Sequence, residues 1–407
     1  MILFNKLKNF KGRHLIKNIT NVKQNKNMNK IAKIIIWVIV IIIIIVGIYL
    51  LAANQKSTKT STTGPIKIGF IGPLSGDTAN IGLNSQAAVE IAVDEVNKAG
   101  GINGRQIQMI YEDGQCSGLG ASKAANKLIN VDNVPIIFGG ACSGETASFT
   151  GAARDSKTIV FSYCSSAPSL SNTGDFFFRD YPSDSYQGNF GADYIFNKLG
   201  KKNAAVLYVQ TDYGVGLKDV FENTFKGLGG NIVDEEGYDQ NSRDLRAQLT
   251  KIKAAKPDIV YFVGYAEAST VGVPQAKQLG LNVPLFGTDS WDDSKIWSSV
   301  GSAGDGDMYT IVSTPLSDNF KAAMKAKLGK DEITDCSAEA YDGIKVLAQA
   351  IASAGGTDYE SLKNALHNIV YTGGVSSDKI QFDNNGDLVG ANYIIKVAHN
   401  GVAAEAK

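Results

Sequence analysis

Short apolar runs alternate with segments of helical apolar spacing from residue 66 onward. In 82–98, for example, Ala88, Ala92 and Val96 fall on one face of a predicted helix. The first series predicts strands at 66–71, 106–112, 135–138 and 158–161, and helices at 82–98, 119–130 and 145–156. The second predicts helices at 183–198, 217–226, 245–254 and 268–279, and strands at 204–209, 232–238, 259–263 and 285–286. Two successive β-α series predict an α/β protein with two doubly wound parallel-sheet lobes.

The C-terminal part of the chain departs from this alternation. Its pattern predicts helices at 319–327 and 337–354, followed by a hairpin of 380–382 with 393–397. Residues 383–387 (DNNGD) form the predicted turn of that hairpin. The turn resembles part of a calcium loop, but the remaining spacing and the terminal Glu are missing, so a plain turn without a metal is predicted.

A long apolar run precedes the first strand. Residues 34–53 are 20 uncharged residues, a length that in a helix spans a hydrocarbon core of about 30 Å. Basic residues precede this run and a Ser/Thr-rich stretch follows it. The positive-inside rule predicts a cytoplasmic tail at 1–33, one transmembrane anchor at 34–53, a linker at 54–65 and a folded domain outside the cytoplasm. The protein would thus be a single-pass protein of the cell membrane. A cleaved signal peptide is the alternative, and the lack of a following cysteine excludes a lipoprotein anchor.

The charge of the 407-residue chain is unevenly divided. Residues 1–65 hold 11 of the 40 Lys and Arg residues and none of the 40 Asp and Glu residues, so residues 66–407 have a net charge of −11. Nucleic-acid binding needs a basic surface, and this acidic balance argues against a nucleic-acid partner.

Small polar and aromatic residues follow the predicted strands. The segments after the first-series strands are GGACSG at 139–144 and SYCSSAP at 162–168. After the second-series strands come Asp212-Tyr213-Gly214, Gly264-Tyr265 and Gly287 to Trp291. Ligands of open parallel sheets bind beyond the carboxyl ends of the strands, where small residues and a helix N-terminus suit an anionic group. One lobe therefore offers small hydrogen-bonding groups, and the other offers aromatic rings and a carboxylate.

The chain from 66 to about 399 resembles the branched-chain amino-acid (Leu/Ile/Val)-binding proteins of ABC importers, which have the type I periplasmic-binding fold. The motifs are IGFIGPLSG at 68–76, EVNKAGGING at 95–104, YED at 111–113, Ser183-Asp184, Gln187-Gly188, Tyr213-Gly214 and 383–387. The resemblance implies a first lobe of 66–180 with 315–373, a second lobe of 181–314 with 374–407, and a three-strand hinge. It also implies an amino-acid ligand trapped between the lobes, and an ABC permease as partner.

Six ligand contacts are implied by the resemblance. They are Ser143, Cys164, Ser166, Tyr213, Tyr265 and Asp289. Ser143 and Ser166 would hold the α-carboxylate, while the Cys164 carbonyl, the Ser166 hydroxyl and Asp289 would hold the α-ammonium. The alternative for Asp289 is a helix N-cap. Family positions are altered at Asp289, Cys164 and Ile81, and Trp291 adds bulk near the carboxylate, so leucine is not assumed as the ligand.

The four cysteines all lie in the predicted extracytoplasmic part, where an even count suggests disulfides. Cys116 and Cys142 follow neighbouring strands, and the resembled family often has this bridge. Cys164 and Cys336 are candidates for a second bridge. Only three histidines are present in the chain, which argues against a Cys-His nucleophile and against a histidine metal site.

A transport receptor without a cofactor or catalytic activity is therefore the leading functional hypothesis. The alternative is a sensor whose ligand-binding domain signals to a membrane partner. An enzyme such as an amidase is disfavoured because no base–nucleophile pair is visible in the sequence.

Overall fold

The computed structural model describes residues 64–331 and 333–406, with positions 35, 37–39 and 42. The predicted tail at 1–33, nearly all of the linker at 54–65 and most of the anchor at 34–53 lie outside the described residues. Among the residues described, no helix has the length and apolar character needed to cross a membrane. The single-pass anchor therefore stays a prediction.

The first sheet contains five parallel strands in the order β2-β1-β3-β4-β5. They are β1 (Ile66–Gly72), β2 (Ile107–Asp113), β3 (Ile136–Gly139), β4 (Ile159–Ser162) and β5 (Phe177–Arg179). Three helices connect them: α1 (Ala79–Lys98), α2 (Gly118–Asn130) and α3 (Ser143–Asp155). Every residue of β3 and β4 is buried, as expected of central parallel strands with helices on both faces.

The second sheet contains seven strands in the order β14-β13-β10-β9-β8-β6-β7. Five of them are parallel: β6 (Asn203–Val209), β7 (Asn231–Tyr238), β8 (Ile259–Val263), β9 (Leu285–Gly287) and β10 (Met308–Val312). Strands β13 (Tyr393–His399) and β14 (Val402–Glu405) extend the sheet in antiparallel fashion. Its helices are α4 (Asp184–Asp193), α5 (Asp212–Gly227), α6 (Arg246–Ala255), α7 (Ala266–Gln278) and α8 (Ser294–Val300). The predicted α/β class with two parallel sheets is confirmed.

The remaining elements follow β10. Helices α9 (Asp318–Leu328), α10 (Ser337–Ala354) and α11 (Tyr359–His367) precede a two-stranded ribbon of β11 (Tyr371–Thr372) and β12 (Lys379–Ile380). Helix α10 packs along α1, and its apolar face therefore completes the cover of the first sheet.

The predicted hairpin of 380–382 with 393–397 is wrong. Ile380 pairs with Tyr371, while Tyr393 pairs with Val312 in the second sheet. The turn at 383–387 does form, because the Asp383 carboxylate accepts hydrogen bonds from the backbone N–H groups of residues 385 and 387. Turn chemistry is local, whereas the choice of strand partner depends on cores formed by distant segments.

Buried apolar side chains form two separate clusters. The first draws on residues from Ile66 to Tyr181 and from Val312 to Leu388, and the second on residues from Ala192 to Ile311 with Ile395 and Ala398. The chain thus passes three times between the clusters. Segment 374–388, predicted in the second lobe, contributes Val375, Ile380, Phe382 and Leu388 to the first cluster. The exact lobe boundaries stay a prediction.

Two disulfides stand at the carboxyl edge of the first sheet. Cys116 is bonded to Cys142, as predicted, and Cys164 is bonded to Cys336, with a Cα–Cα distance of 5.3 Å in each pair. The first bridge joins the segments that follow β2 and β3. The second joins the segment that follows β4 to the start of α10.

The Cys116–Cys142 bridge is expected to contribute to stability. Removing it with a Cys116→Ala/Cys142→Ala pair should lower the free energy of unfolding by roughly 2–4 kcal/mol, because the unfolded chain gains freedom in that loop. Denaturant unfolding of the variant beside the parent protein measures the change. Peptide mapping under non-reducing conditions that finds both thiols free would contradict the bridge itself.

A buried carboxyl on α10 should make stability depend on pH. Glu339 is 2% exposed, and burial raises its pKa from 4.5 to about 8. The folded protein therefore keeps a proton that the unfolded chain releases as the pH rises from about 4.5 to 8. Over that interval the free energy of unfolding should fall by up to about 1.4 kcal/mol per pH unit from this group.

The variant Glu339→Gln tests whether Glu339 causes this dependence of stability on pH. The variant should be more stable than the parent, and the gain should be larger at pH 8 than at pH 5. At pH 5 the parent has lost only a small part of this stability, because the pH lies just above 4.5, where the unfolded chain releases the Glu339 proton that the folded parent keeps. Denaturant unfolding at both pH values tests this difference. A gain that is equal at the two pH values would show that Glu339 does not titrate in this interval.

Candidate functional site

One cavity brings together all six residues that were predicted to bind the ligand. Its lining is Pro73, Thr78, Ile81, Ala141, Cys142, Ser143, Cys164, Ser166, Tyr181, Tyr213, Tyr265, Asp289, Ser290 and Asp335. These residues come from the segments after the strands of both sheets and from the segment before α10. The structure therefore places the six side by side, and their role as ligand contacts stays a prediction.

The start of α3 lies at this cavity, where Cys142 and Ser143 form part of the lining. The helix begins at Ser143 instead of at the predicted residue 145, with Cys142 as its N-cap. The Ser143 hydroxyl accepts from the backbone N–H of Ala167 at 3.1 Å. Within the described chain, the backbone N–H groups of Ser143 and Gly144 have no acceptor. A helix N-terminus with free donors is suited to bind an anionic group.

The loop before α3 is fixed by Glu145. Its carboxylate accepts hydrogen bonds from the backbone N–H groups of Cys116, Ala141 and Cys142 at 2.9–3.1 Å. Burial raises the pKa of this carboxyl to about 7, and these three hydrogen bonds oppose the rise. Glu145 therefore acts on the cavity through the backbone, since it does not itself line it.

Arg179 holds the loop after β4. The guanidinium is fully buried and donates to the carbonyl oxygens of Ser165 at 3.1 Å and Ala167 at 3.0 Å. It also donates to the Asp387 carboxylate at 2.7 Å and to the Ser171 hydroxyl at 2.8 Å. The position of Ser166 in the cavity thus depends on a salt bridge to a residue more than 200 positions later in the chain.

Asp289 is the carboxylate that the second sheet contributes. It is 4% exposed and accepts from the hydroxyls of Tyr181 at 2.8 Å and Tyr213 at 3.1 Å, and from the backbone N–H of Ser290 at 2.8 Å. Burial raises the pKa of Asp289, and these donors partly offset the rise. Asp289 begins a short 3-10 turn, and Thr288 is the N-cap of that turn. The N-cap alternative for Asp289 is therefore wrong.

Two aromatic rings form the wall next to Asp289. The rings of Tyr213 and Tyr265 stack with centroids 5.4 Å apart. The Tyr213 hydroxyl lies 2.7 Å from the Thr288 hydroxyl, which fixes the ring as part of the second core. This wall gives the cavity an apolar surface beside its charged end.

Three polar residues in and behind the cavity were not among the predicted ligand contacts. Tyr181 and Asp335 line it, and Asp184 lies behind Ser166, whose hydroxyl donates to it at 3.0 Å. Asp184 belongs to a motif of the resemblance, but no role was assigned to it. Asp335 follows no predicted strand; its only signal was its place beside Cys336.

The expectation that Trp291 adds bulk to the cavity is wrong. Its side chain is fully buried in the second core and packs edge-on against Phe262, with centroids 5.4 Å apart. Gly287 allows this packing, since a Cβ there would meet the Trp291 ring at 2.0 Å. Ile81, one of the three altered family positions, does line the cavity.

Side chains also meet across the mouth of the cavity. Arg243 forms an ion pair with Asp77, and the Asn80 amide donates to the Asp293 carboxylate at 3.1 Å. The Gln240 amide donates to the Cys116 carbonyl at 3.3 Å. These contacts join the two sides of the mouth, so the structure represents a closed arrangement.

The sulfur atoms near Asp335 do not make a metal site. Cys164, Asp335 and Cys336 have potential ligand atoms within 4.8 Å of one another. Both cysteines are bonded to each other, however, and a disulfide sulfur is not the thiolate that a metal requires. This was the one group of His, Cys, Asp and Glu side chains with metal-site spacing in the described part of the chain.

Comparisons with known proteins agree with this architecture. A family model described as periplasmic binding protein matches residues 65–402. A leucine-, isoleucine-, valine-, threonine- and alanine-binding protein of Pseudomonas aeruginosa is 30% identical over 339 residues, which are 82% of this chain and 90% of that protein. A leucine-binding protein of Thermotoga maritima has a similar structure, with a TM-score of 0.78 and 26% identity over 84% of this chain and 98% of that one.

A third similar protein was solved with its ligand. It is the branched-chain amino-acid transporter substrate-binding protein of Streptococcus pneumoniae in complex with isoleucine. The TM-score is 0.75 and the identity 26%, over 84% of this chain and 99% of that one. All of these relatives are binding proteins, in agreement with the prediction of a binding protein instead of an enzyme.

Proposed function

The chain belongs to the periplasmic binding protein family, and from that premise we propose that it captures an amino acid between its two lobes and delivers it to an ABC permease. Capture takes place on the extracytoplasmic side of the membrane. The proposal includes no reaction on the ligand, since the relatives that the chain matches are binding proteins.

The polarity of the cavity is the observation that carries this proposal. Its first-lobe side presents the Ser143 hydroxyl and the free N–H groups of a helix start, and its second-lobe side presents the Asp289 carboxylate. A zwitterion leaves water only if both of its charges find partners, since an unpaired buried charge costs several kcal/mol. An α-amino acid has the matching pair of charges.

Each predicted residue has a role in this proposal. Ser143 and the first turn of α3 hold the α-carboxylate, while Asp289 and the Cys164 carbonyl hold the α-ammonium. Ser166 serves the ammonium as an acceptor, since its own hydrogen is donated to Asp184. Tyr213 and Tyr265 enclose the ligand from the second lobe.

The names of the relatives support the ligand class. One is a binding protein for five neutral amino acids, and another was solved with isoleucine. Delivery to a permease is supported by the same names, since one of these relatives is a transporter component.

The test is identification of the ligand. Native mass spectrometry of the gently purified full-length chain should reveal a bound amino acid, and calorimetry with a panel of amino acids should give its affinity. Co-purification with an ABC permease after cross-linking tests delivery. A chain that binds no amino acid in either measurement would refute the proposal.

A further inference from the structure

The acidic groups that line the cavity outnumber the cations that a neutral amino acid can supply. Two carboxylates line it, Asp289 and Asp335, while the lining contains no Lys, Arg or His among the described residues. A zwitterion has one ammonium and one carboxylate. Once Asp289 has paired with the α-ammonium, and Ser143 with the α-carboxylate, Asp335 is left without a counter-charge.

Asp335 also lacks a hydrogen-bond donor of its own. The Tyr181 hydroxyl lies 2.8 Å from Asp289 Oδ2 and 3.0 Å from Asp335 Oδ2, but a phenol has a single hydrogen and donates to one of them at a time. Cys336 Sγ lies 3.5 Å from Asp335 Oδ2, yet it has no hydrogen because it is in a disulfide. Within the described chain, Asp335 has no further donor.

The surroundings of Asp335 disfavour its ionised form as long as no cation is bound. Burial and the nearby carboxyl groups of Asp289, Glu339 and Asp292 raise the pKa of Asp335 well above its usual range, so a bound cation would favour the ionised form that the empty cavity disfavours. The basic side chains of the region are engaged elsewhere. Arg179 pairs with Asp387 and Lys396 pairs with Asp292.

The backbone holds Asp335 in this position. Asp335 directly precedes Cys336, and the disulfide from Cys336 to Cys164 joins this segment to the loop after β4. That loop supplies the predicted carbonyl contact for the ammonium. Asp335 and Asp289 therefore enter the cavity on two different segments, and Tyr181 stands between their carboxylates. The disulfide and the Tyr181 hydroxyl thus fix Asp335 in the lining of the cavity.

From this charge count we infer that the preferred ligand is an α-amino acid with a second, side-chain cation, which pairs with Asp335. The inference rests on the proposed function, because it takes the α-ammonium and the α-carboxylate to be bound as described above. It differs from the neutral amino acids named for the relatives.

Matched ligand pairs test the inference on the full-length chain. Ornithine differs from norvaline, and lysine from norleucine, chiefly by a terminal ammonium group. Calorimetry should show that at least one cationic member binds at least about 30-fold more tightly than its neutral partner, the effect typical of pairing a desolvated charge. Norvaline and norleucine that bind within about threefold of ornithine and lysine would overturn the inference and leave the proposed function standing. Failure of every α-amino acid to bind would overturn both.

Two variants test whether Asp335 causes the preference for a cationic ligand. Asp335→Asn should lose most of the preference for the cationic partner, because the amide keeps the shape but removes the charge. Asp331→Asn is the matched control, since that exposed carboxylate pairs with Lys325 outside the cavity and should leave the preference unchanged. If the ratio of the affinities for the cationic and the neutral amino acid is the same in Asp335→Asn as in the parent, the assignment to Asp335 is wrong.

Discussion

Asp289→Ala is expected to weaken binding of an amino acid at least about 30-fold, which corresponds to the lower end of the 2–5 kcal/mol that truncation of a buried charged pair costs. The carboxylate is almost fully buried, so in the closed cavity the ligand ammonium has no access to water as a substitute. Calorimetry or a ligand-induced shift in thermal unfolding measures the loss.

The other changes around Asp289 sharpen this test. Asp289→Asn should also bind weakly, because the amide removes the charge and leaves a single oxygen to accept from Tyr181 or Tyr213. Ser143→Ala should cost less than Asp289→Ala, since the N–H groups at the start of α3 still face the carboxylate. If Asp289→Ala binds within a few-fold of the parent, the ammonium does not bind at this carboxylate.

Arg179→Ala is expected to lower the free energy of unfolding by about 3–5 kcal/mol, because it leaves a buried carboxylate without its partner. Asp387 would lose the cation at 2.7 Å, and the carbonyl oxygens of Ser165 and Ala167 would lose their donors. Denaturant unfolding of the variant and the parent measures the change. Ligand affinity should fall as well, since the same carbonyl contacts hold the loop that contains Ser166.

Arg154→Ala is the control for this prediction. Its side chain is 62% exposed and, among the described residues, pairs with the adjacent Asp155 alone, so the expected change lies within about 0.5 kcal/mol. Adding Asp387→Asn to Arg179→Ala should restore part of the lost stability, because the stranded charge is removed. A single Arg179→Ala variant as stable as Arg154→Ala would show that the buried network contributes little.

The site could be predicted in part because its chemistry follows strand ends. Ser143, Cys164, Tyr213 and Asp289 all come soon after strands of parallel sheets, and such strands end at a common edge. The resemblance then selected these positions from the other loop residues. Tyr181 and Asp335 gave no such indication, since Tyr181 follows β5, a strand that the pattern did not predict, and Asp335 precedes a helix.

By itself, the sequence determined the β-α alternation, the two parallel sheets and the turn at 383–387, because apolar periodicity and turn chemistry depend on residues close together in the chain. Only the tertiary structure decided that β13 joins β10 instead of residues 380–382, and that Trp291 turns into the core. It also brought Asp289 and Asp335 to the same Tyr181 hydroxyl, and it joined Cys336 to Cys164, 172 positions away. These outcomes depend on which distant surfaces bury one another, and that choice is made by the whole packed core.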